Sequence, residues 1–197
     1  MDKVAIKYPD VRLWKCYHAG ETKNPLSKNI EEAVSAGSVR IGHGLNILQR
    51  VEFLPFCKHI CFEKCPISNL LMGYTGDARE SSAPILLGLG YAVSINMGDS
   101  GKLGAEDSTL DFLLSAISYD WTFKHFKLIV QHSINHCLTR EKHKRRMIRE
   151  FNEKWDSWVC NFLQGIHHEE IKKEPKKLDI FTRTSNWTWS KEDEVAL

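Results

Sequence analysis

Short apolar, β-branched runs that end in polar, glycine-containing blocks recur through the first half of the chain, and this alternation limits the fold more than any other feature. The blocks are Tyr17-His18-Ala19-Gly20-Glu21-Thr22, Arg40-Ile41-Gly42-His43-Gly44 and Cys65-Pro66-Ile67-Ser68-Asn69, spaced 22 to 25 residues apart. The runs Val11–Tyr17, Ser38–Ile41, Ile60–Glu63 and Tyr91–Asn96 read as strands. Leu26–Ala36, stopped by Gly37, and Pro84–Leu89, stopped by Gly90, read as helices. Leu45–Lys58 reads as helical or irregular, because Pro55 ends or kinks any helix there. Strands alternating with helices imply parallel βαβ units. The spacing predicts four parallel strands in sequential order, ending near Tyr17, Gly42, Lys64 and Asn96, with helices on one side. The polar blocks then fall at the carboxyl ends of strands, where α/β folds place their sites.

Beyond residue 105 the pattern is helical. Thr109–Tyr119 and Trp121–Cys137 carry apolar stripes, and Ile148, Phe151, Trp155, Trp158 and Phe162 recur every three or four residues in a last helix. That last stripe reads as core packing. From His167 the chain turns polar, so residues 1–165 are expected to form one domain and 166–197 a flexible tail. The 27 basic and 25 acidic residues leave a net charge of +2, which gives no global field for nucleic acid or a membrane surface. No apolar run approaches the roughly 20 residues that span a bilayer, and no apolar signal-peptide core follows Met1. The sequon Asn186-Trp187-Thr188 carries meaning only in an exported chain.

The chemistry gathers in the first two blocks. A neutral imidazole ligates zinc, and a carboxylate three residues away reaches the same substrate as acid or base. His18 and Glu21 fit those roles, against the alternative of a backbone-bonded histidine beside a solvated acid. His43, between Gly42 and Gly44, sits where backbone approaches a ligand closely, or else in an ordinary turn. Cys57, Cys61 and Cys65, with His59 between them, lack the distant second pair of a zinc site and read as structural. His132 and His136 have the i, i+4 spacing of zinc ligands, but no Glu follows His132, so they read as surface or interhelical residues. The basic run Lys142–Arg146 opens an amphipathic helix and reads as a solvated face.

Taken together, the blocks His18-Ala19-Gly20-Glu21, Arg40-Ile41-Gly42-His43-Gly44 and Cys65-Pro66-Ile67-Ser68-Asn69, with Gly104 and Asp111-Phe112 downstream, resemble the adenosine deaminase family. Within it, Ser133-Ile134 and Trp155-Asp156 resemble the adenosine deaminase-related growth factor branch. The resemblance covers roughly residues 8–165 and implies the C-terminal half of a (β/α)8 barrel followed by long helices. It implies hydrolytic deamination of adenosine or 2′-deoxyadenosine to inosine, with a zinc ion as cofactor and a purine nucleoside as partner, and an extracellular location. By the same resemblance His18 is a zinc ligand, Glu21 the acid that exchanges a proton with purine N1, and His43 the group that deprotonates the attacking water. Asp99 would hydrogen-bond the purine ring.

Two departures from the family pattern shape the expectation. The family's zinc-ligating Asp falls on Gly98, and its His-x-His ligand pair has no counterpart. His18 is then the one matched ligand, while a catalytic zinc generally needs three. The isolated chain is expected to hold no zinc and to be inactive, with a non-catalytic growth-factor-type binding protein or a non-functional fragment as alternatives. Four strands of a barrel would also leave two open edges and an apolar face, which a homodimer could cover.

Overall fold

The structure, a computed structural model, describes residues 7, 13–22, 24, 26–98 and 107–165. Strands β1 (Cys16–Ala19), β2 (Arg40–His43), β3 (Cys61–Lys64) and β4 (Ala92–Ile95) form one parallel sheet in the order β1-β2-β3-β4. Helices α1 (Asn29–Ser35), α2 (Pro66–Leu71) and α3 (Ala83–Gly88) lie between the strands, and 3-10 turns at Leu45–Gln49 and Val51–Cys57 fill the β2–β3 connection. Helices α4 (Thr109–Tyr119), α5 (Phe123–Asn135) and α6 (Glu141–Leu163) follow. The parallel pairing and sequential order are those the sequence implies. β1 differs: among the described residues it runs from Cys16 to Ala19, so His18 lies inside the strand rather than beyond it.

Register assigns the two faces of the sheet. Tyr17, Ile41, Phe62 and Val93 pair across the strands in one row. Ile41, Phe62 and Val93 are fully buried in a core shared with Ile30 and Ala33 of α1, Ile47, and Leu86 of α3. Each such side chain contributes about 1.5–3 kcal/mol of burial energy. The opposite face carries the row His18, Gly42, Glu63 and Ser94.

That second face corrects the expectation of a bare apolar surface, because it is largely polar. Arg40 donates through Nε to Glu63 and through Nη2 to Ser94 Oγ at 3.3 Å. Its Nη1 reaches the carbonyl of His136, just past α5, at 2.9 Å. Lys144 Nζ donates to the neighbouring carbonyl of Asn135 at 2.7 Å. Two cations therefore serve the carbonyl end of α5, where the helix dipole favours them.

The same helix corrects a further expectation, that of two open edges. α5 lies along β4, with Ile129 fully buried, and the Val93 amide donates to His132 Nδ1 at 3.3 Å. A parallel strand at the end of a sheet needs such a partner for its unpaired amides. At the other edge Cys16, Tyr17 and His18 are exposed. No residue of α6 is buried, so its aromatic stripe is not the core packing expected of it. Along it Trp155 and Trp158 meet at a tilt and Trp158 stacks on Phe162, each pair with ring centroids 5.5 Å apart. The chain divides into two packing units after Asn152. Among the described residues no helix is long and apolar enough to cross a membrane.

The His132 contact makes α5 docking sensitive to acid. Burial and the neighbouring His136 hold the His132 imidazole below its ordinary pKa of 6.5, and burial does the same to His136. A group held neutral in this way contributes stability that is complete above 6.5 and falls away as pH drops toward the lowered value. Protonation also removes the acceptor for the Val93 amide. Hydrogen-exchange protection of Val93 and α5, corrected for intrinsic exchange, should fall between pH 6.5 and 5, and a His132→Leu variant should have lost that pH dependence. Equal protection across this range in the unmodified chain would contradict the contact.

Candidate functional site

The turn after β1 needs glycine at position 20. Gly20 has φ +73°, and a Cβ there would lie 2.5 Å from both Asn46 Oδ1 and Ile30 Cδ1. Its amide donates to Asn29 Oδ1 at 3.0 Å, and its carbonyl accepts from the amides of Leu45 and Asn46. Anchored on both sides, this turn brings Glu21 back over the strand end. Glu21 Oε1 lies 3.2 Å from His18 Nδ1.

Gly42 has a different reason. It is the register partner of His18, and a Cβ on it would fall 2.6 Å from His18 Cδ2. The missing side chain is what lets the His18 ring lie across β2 toward His43. The two rings meet edge to face, with centroids 5.1 Å apart.

His43 closes the group. It is a non-glycine residue at φ +61°, a left-handed conformation that costs roughly 1–2 kcal/mol and needs local support. Its side chain is 7% exposed. Nδ1 lies 2.7 Å from Asn69 Oδ1, which is a hydrogen-bond acceptor, so the Nδ1–H tautomer leaves a lone pair on Nε2. That Nε2 lies 4.0 Å from Glu21 Oε1, and Tyr74 packs its ring against the same imidazole at 5.7 Å.

His18, Glu21 and His43 therefore offer three ligand atoms, all within 4.8 Å of one another. Ligands of one tetrahedral zinc sit about 3.3 Å apart, given Zn–N distances of about 2.0–2.1 Å. The His18–Glu21 separation of 3.2 Å already meets this, and the 4.0 Å between His43 and Glu21 lies within about an ångström of it. Two imidazoles and a carboxylate are a chemically suitable zinc set with an open fourth position. The donor set is larger than the single ligand legible in the sequence.

The remaining sequence candidates separate from this rim. Asp99 lies outside the described residues. At Gly98 a Cβ would fall 2.9 Å from Ser68 Cβ and Oγ, so Ser68 occupies the space an aspartate would need. Cys57, Cys61 and Cys65 are buried and outside any disulfide, they form no metal-holding cluster with His59 among the described residues, and Cys57 donates to the Phe53 carbonyl. His132 and His136 serve the β4 edge. A cavity of about 590 Å3 lies between β4, α4 and α5, where Asn96, Phe112 and Ile129 line it, and the rim histidines do not.

Sequence reasoning gave Asn69 no role, although it stands in the block quoted above. Its position early in α2, one strand over from His43, is the signal that could have marked it. Lys64 was also missed. It ends β3 fully buried, and burial lowers its pKa from 10.5 to about 7.

A parallel sheet with its polar side chains gathered at the carboxyl ends of the strands has the site placement of α/β folds. The sequence profile described as "Adenosine deaminase" matches residues 9–154, and the chain belongs to the adenosine deaminase family. It is 28% identical over 165 residues to adenosine deaminase 2 of Sus scrofa, covering 79% of this chain and 32% of that protein. Its fold is similar to the adenine deaminase of Arthrobacter aurescens, with a TM-score of 0.65 at 20% identity over 75% of this chain and 44% of the other. The Arabidopsis protein ADAL, solved complexed with GMP, gives a TM-score of 0.65 at 19% identity over 77% and 44%. The chain thus spans about a third of the length of the curated relatives it matches.

The Gly42 argument yields a test. In Gly42→Ala the new methyl should turn the exposed His18 ring outward, at a cost of about 0.5–1.5 kcal/mol for one displaced rotamer. Ring-to-ring NMR cross-relaxation between His18 and His43 should vanish while the melting midpoint moves little. Persistence of that signal would show that the glycine does not position His18.

Proposed function

We propose that this rim is the C-terminal half-site of a zinc-dependent purine deaminase acting on adenosine or 2′-deoxyadenosine. The observation that carries the proposal is the convergence of His18, Glu21 and His43 at the carboxyl ends of β1 and β2, within 4.8 Å. Family membership and a fold relative complexed with GMP support the purine as ligand. His18 is the metal ligand. Glu21 exchanges a proton with the purine ring nitrogen, and His43 Nε2 takes the proton of the attacking water. Zinc bound there supplies a Lewis acid that makes water a usable nucleophile near neutral pH. Asn69 holds the His43 tautomer that leaves Nε2 able to accept. Asp99 would orient the purine by hydrogen bonding.

Three ligands are also a limit. Among the described residues no further protein ligand stands at the rim, so Glu21 and His43 would be needed to hold the metal and would be withdrawn from proton transfer. The chain by itself therefore holds zinc without turning over adenosine. Gly98 favours a second, non-catalytic reading, because Ser68 fills the space beside it. Binding without chemistry, as a non-catalytic growth-factor-type protein would show, is consistent with the same rim.

Calorimetric zinc titration beside an adenosine turnover assay tests this. The expected result is one zinc site, weakened at least about tenfold in His18→Ala, with no inosine formed. Zinc binding indifferent to His18→Ala would remove the site, and turnover by the unmodified chain would overturn the coordination argument. Gly98→Asp alone should destabilise by about 1–3 kcal/mol through overpacking against Ser68, with partial recovery in the Gly98→Asp, Ser68→Gly pair.

A further inference from the structure

Lys64 ends β3 on the side of the sheet that packs against helices, and its ammonium lies beneath the His43–Gly44 turn. Nζ donates to the carbonyl of His43, to the carbonyl of Gly44 at 3.2 Å and to Ser82 Oγ at 2.8 Å. Ser82, itself 1% exposed, donates its hydroxyl to the Gly44 carbonyl at 3.2 Å. Three partners thus surround the Lys64 amine inside a fully buried site, with the Phe62 ring 5.4 Å away. A buried cation is tolerated only when satisfied in this way.

We propose that Lys64 is a positioning residue for His43, clamping the left-handed turn that aims the imidazole at Glu21 and His18. The proposal rests on the reading of that rim as the functional site. His43 and Gly44 take φ of +61° and +51° in succession. Both carbonyls converge on one amine, a geometry an extended strand end would not offer. The segment from β3 into α2 therefore grips His43 twice, Lys64 by its backbone carbonyl and Asn69 by its ring. Releasing the first grip frees the turn to relax toward ordinary backbone angles. That relaxation would swing the ring away from Asn69. Without the amine, the His43 carbonyl and the Ser82 hydroxyl would also lose their buried donor, and the Gly44 carbonyl would keep only that of Ser82.

A purely structural lysine would change stability alone, so the test reads His43 directly. Lys64→Met keeps a long chain without the donor, and Ser82→Ala is the milder variant. Leu86→Ala, in the core of α3, controls for lost stability. In the metal-free chain, NMR follows the exchange rate of the His43 Nδ1 proton, with His132 and His136 as internal references. Calorimetry follows zinc affinity. Proton exchange at His43 should accelerate about tenfold or more in Lys64→Met, less in Ser82→Ala and not at all in Leu86→Ala. Zinc affinity should fall about tenfold in Lys64→Met, as for other residues that orient a ligand. A folded Lys64→Met with unchanged His43 exchange overturns the proposal. So does an unfolded Lys64→Met paired with a Ser82→Ala that leaves His43 untouched. Failure of the unmodified chain to bind zinc would overturn the reading of the rim, while the metal-free NMR comparison still decides the clamp.

Discussion

The parallel register of β1 on β2 is the constraint from which the site follows. It sets His18 opposite Gly42 and Ala19 opposite His43. Because side chains alternate between faces, a slip of one residue would send His18 into the helix-covered core and Ala19 to the open face. The register in turn depends on the buried row of Ile41, Phe62 and Val93, which cannot shift without exposing itself. Hydrophobic packing on one face thus fixes the chemistry on the other. The glycine at position 42 then removes the one atom that would keep the His18 ring out.

Much of this was legible in the chain because the relevant patterns are local. Apolar runs separated by helical segments gave four strands in order, and the polar blocks at their ends marked the rim. What escaped notice depends on contacts distant in sequence. His132 at i, i+4 from His136 looked like a helix-surface pair, and nothing local says that it serves the amide of Val93. The expected apolar face proved polar because Arg40, read only as part of a motif, bridges Glu63, Ser94 and the end of α5. Helix α2 is six residues long, too short for periodicity to register, so Asn69 was not seen as a partner of His43. Lys64 looked like a polar residue closing a strand.

The functional account turns on a competition for the same three side chains. His18, Glu21 and His43 are few enough that holding a metal occupies all of them. The proposed deaminase chemistry would need the last two free for proton transfer, and the position at which the family resemblance implies another ligand is Gly98, with Ser68 against it. On the proposed reading, metal affinity and catalysis would therefore be separable in this chain. That separation is a consequence of coordination number and geometry, and it does not depend on where the remaining part of a barrel is supplied.

The ligand set of the bound metal is the most direct measure of this account. X-ray absorption at the zinc edge, on the chain loaded with one equivalent, should report two imidazoles and oxygen donors in the first coordination shell. Sulfur scattering at about 2.3 Å would place the metal on the cysteines instead, and a single imidazole would mean that His18 and His43 do not converge. Either result would contradict the half-site.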